Sequence, residues 1–374
     1  MKQRTFNILL TVLFCLFIGG MFLGSLILPD RDFSQLENRK LAQTPALSLE
    51  NITTGKFMED AEDYVNDQIL GRDFWVALKA WSERVSGKQE NNGVYFAKED
   101  TLISRVDTPE QSTLDTNAGY VNALVDNVDV PVYFGIIPSA AEIWSDRLPE
   151  GAPTADEKAI IDRLYNEVQT HTIDLYSSLA QHKDEELYYR TDHHWTSLGA
   201  YYGYTALMDA MGLEAVPLDE SQKVTVSEDF YGTLFSSSGV RWLPPDHIDR
   251  YISDEGVTVT AYPNGTPEPG SLYVDSYLEV KDKYSSFLGG NKPLCVIETE
   301  HTDAPKVLVI RDSYADSLAP FLTQNFSEIH LFDPRYNLTS VKDYVTQNEI
   351  DSVVVLYSIS NFTAKDNQMF VLGR

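Results

Sequence analysis

The 374-residue chain sets 29 Lys and Arg against 56 Asp and Glu, a formal charge of −27, with 43% hydrophobic and 23% charged residues. That length holds one large α/β domain with an appendage, and the hydrophobic balance excludes wholesale disorder. So acidic a surface repels nucleic acid and anionic headgroups, which removes nucleic-acid binding as a function class, although acidity also serves plain solubility.

In chain order, Lys2 and Arg4 precede an uncharged run from Phe6 to Leu28. About 20 apolar residues in a helix match the hydrocarbon thickness of a bilayer. The flanking positive charges favour a cytoplasmic N-terminus. A cleaved signal peptide has an apolar region of only about 7–15 residues, so residues 1–29 are expected to be a retained signal anchor. The chain would then be a single-pass cell-membrane protein with its main domain extracytoplasmic. Residues 30–53 are polar and aperiodic, as in a juxtamembrane linker, and 54–374 form the expected domain. Cys15 and Cys295 lie in separate apolar runs, so no disulfide is expected and Cys295 reads as a small buried hydrophobe.

Helical spacing recurs over 54–70 and 73–85, and a hairpin-like stretch follows at 93–106. A helix at 114–128, a buried strand at 130–137, a helix at 155–171 and a short strand at 172–175 come next. Ser197–Met211 is helical again. Residues 217–303 hold short β-type runs and many turn residues, and read as a β-rich, lid-like insertion. Then strands at 306–310, 329–332 and 351–357 alternate with helices at 314–325 and 340–347. Such alternation specifies a parallel sheet flanked by helices. Sites in these sheets form beyond the strand carboxyl ends, here Pro138-Ser139, Arg311-Asp312-Ser313 and Ser358 to Asn361.

Ser313 stands where a buried strand breaks into a helix. There a hydroxyl can project while the backbone N–H groups of the helix start face an oxyanion. The competing reading is that Asp312 or Ser313 only caps the helix. A nucleophilic serine needs a base, and the base an orienting carboxylate. Asp192 and His194 stand two apart, with His193 between them, just before the 197–211 helix. In an extended segment both side chains leave on one side, with Trp195 and Leu198 packing beneath. Two plain alternatives stay open: Asp192 or Thr196 caps that helix, or the histidines hold a metal. The spacing is not that of an ordinary zinc site, and no metal or other cofactor is expected.

The segments Thr191-Asp192-His193-His194-Trp195 and Arg311-Asp312-Ser313-Tyr314-Ala315-Asp316-Ser317 resemble the signature blocks of the DHHW family. More broadly the chain is similar to the SGNH-hydrolase-like domain of the AlgX/AlgJ alginate O-acetylation proteins. Softer matches are Glu37-Asn38-Arg39-Lys40-Leu41, the Tyr64, Asp67 and Arg72 region, and Arg147-Leu148-Pro149. The resemblance implies a permuted SGNH-like α/β fold with Ser313 as nucleophile, His194 as base and Asp192 as orienting acid. His193 would support them. Arg311 stands where the SGNH serine block has glycine, and the family's oxyanion donors have no secure counterparts. Asn361 is the best candidate for one of them, against a turn or capping role. Arg190 and Arg311 would hold an anionic substrate group or, more simply, pair with neighbouring acids.

The residues point to Ser-His-Asp acyl-ester chemistry, and the resemblance implies that its substrate is a cell-surface polysaccharide, by either O-acetyl transfer or removal. A membrane-bound O-acyltransferase is the implied partner, and tethering raises the effective concentration beside it. The alternative is a non-catalytic assembly or glycan-binding partner that keeps the fold.

Overall fold

From Gln3 to Ile27 the chain forms one helix (α1) of 25 residues, with none buried and a mean hydropathy of 2.4 over its most apolar 18 residues. At 1.5 Å per residue it spans about 37 Å, enough to cross a bilayer. The computed structural model describes residues 3–374. They fall into two compact units: the chain up to Asn91 with Phe235–Trp242, and 92–234 with 243–374.

In the first unit, Lys56–Gln68 (α2) and Arg72–Val85 (α3) follow α1, joined through Gly71 in the left-handed region at φ 68°. The sequence reading separates a 30–53 linker from a domain starting at 54, whereas the structure groups both in this unit. The reason is an ion-pair cluster. Buried Asp67, near the end of α2, accepts two bonds from Arg39 at 2.8 and 2.5 Å and one from the Ala42 N–H at 2.8 Å. Arg72 reaches Glu37 at 2.9 Å and Asp67 at 3.4 Å. The softer family matches at 37–41, 67 and 72 thus meet in one cluster.

The second unit is built on an eight-stranded sheet. Its strands in chain order are Val132–Ile137 (β1), His171–Thr172 (β2), Thr258–Ala261 (β3), Glu268–Pro269 (β4), Leu294–Glu298 (β5), Lys306–Arg311 (β6), Glu328–Phe332 (β7) and Ser352–Ser358 (β8). They lie in the order β4-β3-β5-β7-β6-β8-β1-β2. The strands from β7 to β2 are parallel, and β5, β3 and β4 add antiparallel at one edge. The lid-like insertion expected over 217–303 is therefore in part sheet. Val259, Ala261, Cys295 and Ile297 alternate inward and are buried, so 258–298 extends the core. The hairpin of Val224–Phe230 with Asp246–Arg250 and a bridge between Tyr273 and Phe287 pair outside it.

The two-residue period of the strands divides the core. Val307, Val309, Val354 and Leu356 face Ser197–Met211 (α6) and Ala315–Leu322 (α7), through Tyr204, Leu207, Leu318 and Phe321. Leu308, Ile310, Val353 and Val355 face Gln111–Asn127 (α4), Glu157–Glu167 (α5) and Val341–Gln347 (α8), through Val121, Leu124, Ile161, Leu164 and Val341. Each such buried side chain stabilises by about 1.5–3 kcal/mol. Helix α5 is shorter than the expected 155–171. The Asp156 side chain caps its start, and Val168 turns extended on the way to β2.

Candidate active site

Register puts four loops at one edge. Ile310 stands beside Phe332 and Val355, and Ser358 beside Ile137. The segments after β1, β6, β7 and β8 therefore leave the sheet on the same side, where open α/β sheets place their sites.

Ser313 lies between the end of β6 and the start of α7. Asp312 fixes this corner. Its Oδ1 accepts the Tyr314 N–H at 3.0 Å, and its Oδ2 accepts the Ser358 hydroxyl at 2.6 Å and N–H at 2.9 Å. The Ser313 hydroxyl caps no backbone N–H of α7, whose start carries no side-chain cap. The Ser313 N–H donates to no backbone group among the described residues.

The 188–195 segment is not extended, as the sequence reading supposed, but a bent loop closed by a bridge between Tyr188 and Trp195. It bends because the Asp192 carboxylate accepts from the His194 backbone N–H at 3.0 Å as well as from its ring. Trp195 is fully buried, and its indole donates to the Tyr314 carbonyl at 2.8 Å, tying this loop to the Ser313 corner. Gly203 makes room beneath. A Cβ there would lie 2.6 Å from the Trp195 ring.

These constraints bring three side chains into line. Asp192 Oδ1 is 2.6 Å from His194 Nδ1, and His194 Nε2 is 2.8 Å from Ser313 Oγ. With the carboxylate on Nδ1, that nitrogen carries the proton and Nε2 is the acceptor for the serine hydroxyl. Asp192 Oδ2 accepts the Thr233 N–H at 2.7 Å and hydroxyl at 3.0 Å. Burial raises the Asp192 pKa, but the charges of His193 and His194 and these bonds outweigh it, holding the carboxyl well below its usual range. Burial and the neighbouring His194 push His193 down to about 4, although 37% of its side chain meets solvent. Its Nδ1 lies 2.7 Å from the Thr233 hydroxyl.

Thr233 and Tyr284 escape the sequence reading. Thr233 follows Gly232, where a Cβ would fall 2.2 Å from that of Asp192, so the Gly-Thr pair is shaped to the acid. The Tyr284 hydroxyl donates to the Ser313 carbonyl at 3.0 Å. Only the glycine beside a threonine hinted at the first, and no local signal marks the second.

Three assignments read differently in the structure. Arg311 is fully buried and pairs with Asp316 at 3.0 Å, so it cannot meet a substrate. Burial opposes its charge, and Asp316 and Asp333 overcome that, leaving its pKa raised. Arg190 pairs with Asp246 at 3.2 Å and donates to the Pro245 carbonyl at 2.8 Å, which is the salt-bridge reading. Asn361 donates its side-chain amide to Asp312 at 2.8 Å and so buttresses the corner rather than facing Ser313. At the third strand end, Ser139 is bound through both N–H and hydroxyl to buried Glu157, at 2.8 and 2.6 Å.

Asp192, His193 and His194 also offer ligand atoms within 4.8 Å of one another, close enough for one cation.

The sheet flanked by helices is an SGNH-hydrolase-like α/β fold, and a serine, a histidine and an aspartate are aligned beyond the carboxyl ends of its parallel strands. The chain belongs to the DHHW protein family, matching it over residues 111–332. A DHHW family protein from Eubacterium siraeum is 26% identical, with a TM-score of 0.66 over 75% of this chain and 95% of that one. Bacillus cereus PatB1, in a structure with a sulfonyl adduct, shares the fold at 20% identity and a TM-score of 0.62, over 74% and 98% of the two chains. The O-acetyltransferase domain of Pseudomonas putida AlgJ aligns more loosely, at 16% identity and a TM-score of 0.46 over 73% and 93%. No curated protein matches the chain.

Proposed function

We propose that the chain is an extracytoplasmic acyl-ester enzyme, anchored by α1, that moves O-acetyl groups onto or off a cell-surface polysaccharide. The observation that carries this reading is the continuous hydrogen-bond chain Asp192–His194–Ser313, with contacts of 2.6 and 2.8 Å. His194 Nε2 takes the proton as Ser313 Oγ attacks the ester carbonyl carbon. Asp192 stabilises the resulting imidazolium through Nδ1–H. The Ser313 N–H, at the start of α7, is the nearest donor for the oxyanion. His194 then passes its proton to the departing alkoxide, leaving an acyl-Ser313. The acceptor that resolves it decides the reaction: water gives an esterase, a sugar hydroxyl a transferase.

The extracytoplasmic placement rests on α1 and the charges before it. The polysaccharide and the membrane acyltransferase partner rest on the resemblance to alginate O-acetylation proteins. The test is acetyl release from p-nitrophenyl acetate by the full chain in lipid nanodiscs, alongside Ser313→Ala and His194→Ala. Turnover that both substitutions abolish supports the reading. Turnover that survives either change removes that residue from the proposal, and no turnover in the wild type favours a glycan-binding partner that does no chemistry.

A further inference from the structure

An open groove of about 680 Å³ lies along the same sheet edge as Ser313. Register places it there. Leu294 opens β5 opposite Phe332, the last residue of β7, and Ile310 of β6 stands beside the same Phe332. Ser313 follows Ile310 out of the sheet, and Tyr336 follows Phe332. The Tyr262 N–H donates to the Leu294 carbonyl at 2.9 Å, which puts Tyr262 at this edge as well. With strands about 4.8 Å apart, the groove begins at the end of the strand beside the one that carries Ser313, on the face of the sheet that α8 covers.

Its surface is unlike the rest of the chain. The rings of Tyr262, Tyr336 and Tyr344 and the amides of Asn264 and Asn337 line it, and Asp343 is the one charged side chain among the lining residues. In a chain of net charge −27 that is an unusually neutral patch. Tyr336 and Leu338 stand 56% and 53% exposed, whereas most large hydrophobics of this unit are buried. Apolar surface left in water beside polar groups marks a binding site more often than chance exposure does.

The groove is also tied to the corner that holds the nucleophile. Asp333 clamps Arg335 with bonds of 2.9 and 2.7 Å, fixing the residue before Tyr336. Asn291 Oδ1 accepts from Arg335 at 3.5 Å and from Arg311 at 3.4 Å, and Arg311 closes the strand that leads to Ser313. A groove held this way needs little ordering on binding.

We propose that the groove is a subsite for a neutral oligosaccharide stretch of the polymer whose ester is handled at Ser313; in naming that polymer the proposal rests on the reading above. Aromatic faces suit the apolar faces of sugar rings, and side-chain amides suit their hydroxyls. No cationic side chain lines the groove, and Asp343 disfavours an anionic polymer.

The probes are cellotetraose and chitotetraose, with tetragalacturonate as the anionic comparison, titrated calorimetrically into the full chain in nanodiscs. The proposal expects at least one neutral probe to bind and the uronate not to. Tyr336→Ala should raise Kd at least tenfold, and Tyr336→Trp should restore binding. Ser313→Ala should bind as the wild type does. Failure of every neutral probe, equal binding by the uronate, or an unchanged Kd in Tyr336→Ala would overturn the subsite. So would a change in self-association as the sole effect of Tyr336→Ala. Tyr336-dependent binding without turnover in the wild type would instead keep the groove and remove the catalytic reading.

Discussion

The imidazole of His194 lies face to face with the phenol of Tyr284, 3.8 Å between ring centroids and 9° from parallel. The same tyrosine holds the Ser313 carbonyl at 3.0 Å and the Ser317 hydroxyl at 3.1 Å. One buried side chain therefore sets both the plane of the base and the backbone of the nucleophile. Tyr284→Phe keeps the stacked ring and loses the hydroxyl. It should cost about 1 kcal/mol of stability and lower kcat by roughly tenfold. Tyr284→Ala empties the site and should cost about 3–5 kcal/mol, read by thermal unfolding.

Asp192 holds the tautomer of His194, so Asp192→Asn should leave the fold intact and depress ester turnover by about 10³–10⁴-fold. Thr233→Val removes only one of the contacts to Oδ2, because the backbone N–H remains at 2.7 Å. A loss of about tenfold or less is expected. Comparable losses in the two variants would show that the acid acts through Thr233 rather than through the imidazole.

Asn361 separates two roles cleanly. Its amide meets Asp312 Oδ2, which also takes both Ser358 donors. Asn361→Ala is expected to lower stability by about 1–2 kcal/mol while turnover falls only modestly. Turnover lowered by about a hundredfold or more, at unchanged stability, would return Asn361 to the oxyanion role that the sequence suggested.

Much of this was legible from the residues. The β-branched runs over 306–310 and 351–357 announce buried parallel strands, and an acid-x-base pair ahead of a strand-end serine announces their chemistry. What stayed hidden depends on contacts far apart in sequence. Nothing near residue 192 points to Thr233, and nothing near 313 points to Tyr284. Arg311 reads either as a substrate-holding cation or as the partner of a neighbouring acid, and its buried pairing with Asp316 is the second. The 30–53 stretch lacks periodicity because ion pairs, not an apolar face, fasten it to α2.

Glu157 makes stability depend on pH. Burial lifts its carboxyl from 4.5 to about 7, against the Ser139 bonds that favour the charge. The folded chain therefore binds more protons than the unfolded chain between those values. Stability from this group is full below about pH 4.5 and is lost as pH rises through about 7, by on the order of 3 kcal/mol. Glu157→Gln should flatten that part of the profile, followed by unfolding temperature from pH 5 to 8. A Glu157→Gln profile with the same slope as the wild type across this window would contradict the assignment.

The central claim is that Ser313 is an activated nucleophile, and covalent labelling tests it most directly. The full chain in nanodiscs is treated with phenylmethanesulfonyl fluoride, and the modified residue is located by peptide mass spectrometry. The account predicts a sulfonyl group on Ser313, slowed at least a hundredfold in His194→Ala and absent in Ser313→Ala. Labelling at another residue, or labelling of Ser313 at the same rate without His194, would contradict it.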